Sequence, residues 1–330
     1  MISTTTATWM IRRGFKGAVN LLRVCANAKP SEQVLIVTDS ATDPGIASTI
    51  MAAASQLGIE ANAVTMKPRA LPGDEPPPPV VAAMLCADVI LCPTSRTLYH
   101  TNARTDACKR GARFISMAGA TMSVLASGAM LTNFPKREKV LNHLVKRLSR
   151  AKHIQVTNPA GTNLHFDVRG RRGRGVSGMA RRPGEVTGTP DIEAYVAPVE
   201  QETNGVLIVD GSTSVTGVVQ QPMKITIKRG FALRIVGGAD AFQLRRILRK
   251  AGSRASYRVA EFGIGLNPLA RIRGAIIEDE GKLGTAHVAL GDNTRLGGRN
   301  SAPVHIDLVI KNPIVRLDGA VVLNRTQLVL

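Results

Sequence analysis

The chain has 330 residues, 44% of them hydrophobic and 20% charged, with a formal net charge of +19. That is enough apolar material to bury a core in each of two domains and too much for a disordered chain. No apolar run reaches the roughly 20 residues that cross a bilayer as a helix, so no membrane association is expected. Aromatic residues make up only 3%, which leaves few stacking platforms for single strands. With no helix-turn-helix, zinc-finger or basic-region pattern either, a nucleic-acid partner is not expected despite the positive charge.

The first thirty residues carry Arg12, Arg13 and Lys16 after their few apolar residues. A secretory signal has the opposite order, so a cytoplasmic protein is expected, with a first helix over 10–27. Four cysteines, Cys25, Cys86, Cys92 and Cys108, form no C-x-x-C pair; neither a disulfide framework nor a zinc ribbon follows. "QVLIVTD" (33–39), "EANAVTM" (60–66), "DVILCPTS" (88–95) and "ARFISMAG" (112–119) read as strands. Helical stretches at 45–58 and 80–87 separate the first three. This alternation predicts an α/β domain with a parallel sheet. No G-x-G-x-x-G follows the first strand, so no dinucleotide site is expected. "TSRTLYHTNAR" falls past a strand end, where open parallel sheets hold ligands, which makes Arg96 and His100 candidate substrate contacts.

A basic helix over 136–151 precedes a change of texture. From 152 onward short strands dominate, interrupted by one helix at 240–252. The expected division is therefore 1–150, the α/β domain, and 151–330, a β-rich (α+β) domain built on a strongly curved sheet or partial barrel. The Arg- and Gly-rich segment 169–182 reads as a solvated loop.

The second domain holds five ionisable residues in or beside apolar strand segments: Glu193, Glu261, His287, His305 and Asp307. In "HID", His305 and Asp307 are two apart and share a strand face. Unpaired charges there cost several kcal/mol. Hydrogen-bonded pairs or a shared cation would remove that cost. Three carboxylates and two imidazoles suit divalent zinc, cobalt, manganese or iron, and the number of ligands suits two ions.

The segments "EAYVAPVE", "EFGIGLNP", "GTAHVALGDN" and "HID", in that order, together with "AKPSEQVLIVTD" and "TNPAGTNLHFDVRGR", resemble the aminopeptidase T/aminopeptidase S family of metallopeptidases. The resemblance implies an α/β domain followed by a β-rich metal-binding domain. It implies a homodimer and two divalent ions (zinc, cobalt or manganese) held by Glu193, Glu261, His287, His305 and Asp307. Glu261 would be the base that takes a proton from the attacking water. The implied substrate is a small molecule or short peptide, with the arginine-rich surface favouring anionic ones. The sequence departs from that family at two places. Thr294 stands where those peptidases have a tyrosine, which makes Thr294 a candidate substrate contact. Only 18 residues separate His287 from His305, as in a divergent short-loop branch that includes the iron-dependent 2,5-dihydroxypyridine ring-cleaving dioxygenases. In that branch a histidine is expected near the position of Glu261. Retention of Glu193 and His287 favours a dinuclear metallo-aminopeptidase-like hydrolase; a mononuclear Fe(II) dioxygenase acting on a hydroxylated pyridine or similar aromatic is the alternative.

Overall fold

The computed structural model describes residues 4–330, with side chains described from residue 12 onward. Two compact units make up the chain: Met1–Phe134 with Val176–Asp191, and Pro135–Gly175 with Ile192–Leu330. The chain thus crosses between units three times, where the sequence suggests one division near 150. The helix ahead of that division belongs almost wholly to the second unit. A three-residue strand, too short to carry a pattern of its own, returns to the first.

The first unit opens with α1 (Thr4–Asn20), which runs into a π-helical turn at Leu21–Cys25. It continues through β1 (Val34–Asp39), α2 (Pro44–Gln56), β2 (Ala61–Met66), α3 (Pro78–Leu85), β3 (Val89–Cys92), α4 (Asn102–Lys109), β4 (Arg113–Ser116) and α5 (Met122–Leu125). The returning strand is β8 (Val186–Gly188), and the parallel sheet has the order β2-β1-β3-β4-β8. All residues of β1, β3 and β4 are buried, as expected of strands covered on both faces. Local chemistry sets the helix ends. Asp43 accepts from Gly45 N ahead of Pro44 at the start of α2, and Gly58 takes the left-handed φ of 65° after its end.

The second unit begins with α6 (Phe134–Arg150). Its strands are β5 (His153–Thr157), β6 (Asn163–Asp167), β7 (Arg174–Val176), β9 (Glu193–Val196), β10 (Asn204–Val209), β11 (Ser212–Thr213), β12 (Gly217–Val218), β13 (Met223–Lys228) and β14 (Phe231–Val236). After α7 (Ala239–Lys250) come β15 (Val259–Gly265), α8 (Ile276–Asp279), β16 (Thr285–Gly291), β17 (His305–Lys311), β18 (Ile314–Leu317), β19 (Ala320–Asn324) and β20 (Gln327–Leu328). The expected single curved sheet is instead two sheets, β14-β13-β10-β6-β5-β18-β19-β20 and β12-β11-β17-β16-β15-β9-β7. They meet through apolar faces. Phe166 of β6 packs on Phe262 of β15 with ring centroids 5.1 Å apart, beside the fully buried Ile264, Val288 and Leu308. Alternation along the same strands turns Glu261, His287, His305 and Asp307 to the other face.

Candidate metal centre

Register explains how residues from four strands meet. In the seven-stranded sheet Glu261 pairs with Ala289, and Ala289 with Asp307. His287 pairs with Gly263, His305 with Gly291, and Glu193 with Gly265. All five ionisable residues therefore lie on one face of β9, β15, β16 and β17, interleaved with small residues. The glycines make the hollow. A Cβ at 263 would collide with His287 Cε1 and Nε2, and one at 265 with the carbonyl oxygens of Lys282 and Glu280. Only glycine fits such close approaches.

The residues form two groups that share Glu261. Ligand atoms of Glu193, Glu261 and His287 lie within 4.8 Å of one another, as do those of Glu261, His305 and Asp307. In the inner group His287 Nε2 is 3.3 Å from Glu193 Oε2 and 3.9 Å from Glu261 Oε1. In the outer group His305 Nε2 is 3.1 Å from Glu261 Oε2 and 3.2 Å from Asp307 Oδ1. The two oxygens of Glu261 thus face different histidines.

The nearby partners orient the outer group. His305 Nδ1 lies 2.8 Å from the Asp292 carbonyl oxygen. That oxygen can only accept, so Nδ1 carries a proton and Nε2 is the nitrogen turned to the carboxylates, donating to them without an ion and free to bind a cation once deprotonated. Asp307 is held through its backbone, its N–H donating to Ser214 Oγ at 3.0 Å and its carbonyl accepting from Ser214 N at 3.1 Å. Asn300 Nδ2 donates to Gly291 O at 2.6 Å and Ala255 O at 2.9 Å, fixing the loop that carries Asp292. Asp292 acts through its backbone carbonyl, and Ser214 and Asn300 bond to backbone atoms of other segments, so the sequence gives no pattern to find them by. The one signal is the polar "GDN" that ends an apolar strand.

Without an ion the five groups perturb one another. Burial pushes Glu193 up to about 8, against the pull of His287. Burial would also raise Glu261, but hydrogen bonds and charge from His287 and His305 bring it down to about 2. Burial opposes a charge on His287, yet Glu193 and Glu261 outweigh it and lift the imidazole to about 9. His305 is likewise opposed by burial and raised well above its ordinary value by Asp307 and Glu261. Carboxylate oxygens held against imidazoles in this way could hold a divalent cation, which would replace the protons.

Three further residues expected at the site lie outside both groups. Thr294 is exposed on a short turn, where its Oγ1 donates to Asp292 Oδ1 at 2.9 Å. Arg96 and His100 are in the first unit, on the loop after β3. His100 packs edge-on against Tyr99 with centroids 5.2 Å apart, and Thr101 caps α4. The basic segment is pinned rather than free: Arg169 pairs with Asp167, Arg171 with Glu200 and Arg182 with Glu185.

The family model of NicX, described as 2,5-dihydroxypyridine 5,6-dioxygenase, matches residues 16–330. The chain belongs to the NicX family. A curated relative, the 2,5-dihydroxypyridine 5,6-dioxygenase of Pseudomonas putida KT2440, is 25% identical over 252 residues, covering 73% of this chain and 70% of its own. Two solved structures share the fold. The 2,5-dihydroxypyridine dioxygenase from Pseudomonas putida KT2440 has a TM-score of 0.77 and 22% identity, over 100% of this chain and 98% of its own. Wild-type AmpT from Thermus thermophilus has a TM-score of 0.69 and 17% identity, over 97% and 99%. The chain is therefore an enzyme of an α/β plus β-rich fold shared with AmpT. The family match corrects the expectation of a hydrolase, aminopeptidase or metalloprotease, and favours the dioxygenase alternative. The resemblance to the peptidases reflects a common fold, and a common fold hosts different reactions. No described helix is long and apolar enough to cross a membrane.

Proposed function

We propose that the chain is a metal-dependent ring-cleaving dioxygenase acting on a hydroxylated pyridine or a closely related hydroxylated aromatic. The observation that carries this reading is the family match over residues 16–330. The outer group, Glu261, His305 and Asp307, would hold one iron(II). Two carboxylates balance its charge, the imidazole supplies a nitrogen ligand, and three protein ligands leave positions open. This set differs by one residue type from the two-histidine, one-carboxylate arrangement of many non-haem iron oxygenases, because position 261 is a glutamate. The His305 side chain is 32% exposed and that of Asp307 14%, which gives a small flat substrate a way in.

When bound, iron(II) supplies the redox chemistry that lets dioxygen react with an aromatic ring. The protein's own residues do the rest. Asp292 O holds a proton on His305 Nδ1, so Nε2 is the nitrogen that would lose its proton to a bound cation. Ser214 fixes the backbone from which Asp307 projects. Glu193 and His287, buried behind Glu261, hold that carboxylate from the side away from solvent and can exchange a proton between Oε2 and Nε2 across 3.3 Å.

The division of the two Glu261 oxygens between different histidines favours a second reading of occupancy, in which Glu193, Glu261 and His287 would hold a second divalent ion. Metal analysis separates the two, at one or two ions per chain. The reaction is tested by loading the purified protein anaerobically with iron(II) and adding 2,5-dihydroxypyridine in air. Oxygen uptake matched one-to-one by loss of the aromatic absorbance is expected. Failure to bind iron, or absence of oxygen uptake across a panel of mono- and dihydroxypyridines and dihydroxybenzoates, would reject the proposal.

A further inference from the structure

The second unit contains a cleft of about 580 Å³ between the β13–β14 turn and the short helical turn that leads into β15. Lys228 and Arg229 project from the first element, and Arg254 and Arg258 from the second. Phe231 and Asn300 also line the cleft, and no Asp or Glu does. We propose that this cleft binds a small ligand carrying two adjacent anionic groups, phosphoryl or carboxylate, at a site separate from the metal ligands.

The cations here are uncompensated, in contrast to those of the 169–182 segment, which pair with Asp167, Glu200 and Glu185. Among the described residues no carboxylate lies within ion-pair distance of Lys228, Arg229, Arg254 or Arg258. Arg229 makes one long hydrogen bond, 3.4 Å to Gln201 Oε1. Arg258 Nη1 donates at 2.7 Å to the backbone carbonyl of Glu200, while the Glu200 carboxylate is taken by Arg171 at 2.6 Å and Arg299 N at 2.6 Å. Burial, and then the neighbouring charge of Arg254, lower Arg258 despite the pull of Glu200. A bound anion would relieve that repulsion.

Phe231 holds the arginines in place. Arg258 Cζ lies 4.1 Å and Arg254 Cζ 4.8 Å from its ring centroid. Guanidiniums stacked on a ring keep their N–H edges free and lose little freedom on binding a planar or tetrahedral oxyanion. The ring that could have stacked a nucleobase is already occupied by cations, which favours a small oxyanion ligand over a nucleic-acid strand. Four cations lining one cleft suit two linked anionic groups better than one.

The test is calorimetric titration of the full-length protein with inorganic pyrophosphate, citrate and a short single-stranded oligonucleotide. The wild type is compared with Lys228→Gln/Arg254→Gln and with the charge-matched control Arg249→Gln/Lys250→Gln on α7. One saturable site per chain is expected for pyrophosphate or citrate, the tighter of the two identifying the anion type. The cleft variant should weaken it at least about tenfold while the control stays within about twofold. Absence of saturable binding, or equal weakening in both variants, would reduce the effect to the overall charge and overturn the proposal. So would tighter binding of the oligonucleotide that is lost in the cleft variant. All four residues are exposed, so unchanged melting temperatures are expected and check that the variants fold.

Discussion

The inner and outer halves of the candidate metal centre share a carboxylate and the same donor chemistry, yet they sit in different surroundings. His287 and Glu193 have side chains 1% and 9% exposed, whereas those of His305 and Asp307 are 32% and 14% exposed. The inner half lies where β9, β15 and β16 run side by side, closed over by the backbone at Lys282 and Glu280. The outer half is on β17, whose neighbour β11 makes only one register pair with it. A buried ion pair contributes little net stability but is costly to break, so the inner half acts as a fixed electrostatic support. The open half is the place where a substrate can arrive.

The sharpest way to break this contrast is to remove one ligand from each side. Asp307→Ala should lower oxygen uptake by about 10³-fold or more, because an iron bound through fewer protein ligands is lost or misplaced, with the melting temperature nearly unchanged. His287→Ala should instead lower stability by about 3–5 kcal/mol, since it opens a cavity and takes away the buried imidazole that Glu193 and Glu261 both face. Thermal melts and iron content measured on both variants check the pair. If His287→Ala keeps its stability and loses one of two bound ions, the inner half is a metal site in its own right.

Next in size is Gly263→Ala. The added methyl meets His287 Cε1 and Nε2, and the imidazole has no room to move in a site that is 1% exposed. Overpacking of this kind costs about 1–3 kcal/mol, to be read as a shift in urea midpoint. The same variant should also weaken any ion that His287 helps to bind. An unchanged midpoint would mean that the inner half is looser than its burial suggests.

These two positions mark what a single sequence discloses. The strands were legible as apolar runs, and the five ionisable residues stood out because such runs seldom carry charge. That His305 and Asp307 share a face followed from alternation. Their meeting with Glu261 through Ala289 depends on cross-strand register, which no local pattern encodes. Gly263 and Gly265 in "GIG" permit a close approach, but nothing in the sequence names its partner. β8 was missed because three residues carry no periodicity, and with it the return of 176–191 to the first unit. The reaction class was the hardest part, since the peptidase-like and dioxygenase-like proteins share this fold almost end to end.

A gentler probe is pH, applied to the ion-free protein. His287 rises from an ordinary 6.5 to about 9, and Glu193 from 4.5 to about 8. Both folded-state values are raised, so the folded protein holds these protons more tightly than the unfolded chain. The resulting stability is fully present below the unfolded values and is lost as pH rises through about 8 to 9. Glu261, lowered to about 2, works the other way and matters only in acid. The melting temperature of ion-free protein should therefore fall between neutral pH and pH 9, and His287→Gln should flatten most of that fall. A bound cation displaces the same protons, so the affinity for added metal should increase over the same window.

The smallest effect is expected at Thr294, on the exposed side of the outer half. Its hydroxyl donates to Asp292 Oδ1 at 2.9 Å, and Asp292 also accepts from the Thr294 and Ala302 backbone N–H groups at 3.1 and 3.2 Å. Thr294→Val removes one of three bonds to a partly exposed carboxylate, a change worth about 1 kcal/mol or less. The Asp292 carbonyl that orients His305 stays where the backbone holds it, so oxygen uptake should remain within about twofold of wild type. A fall of about 100-fold in kcat with KM unchanged would point the other way. It would mean that Thr294 turns from Asp292 to the substrate during the reaction, and that the outer half extends along the turn to the position filled by tyrosine in the peptidases.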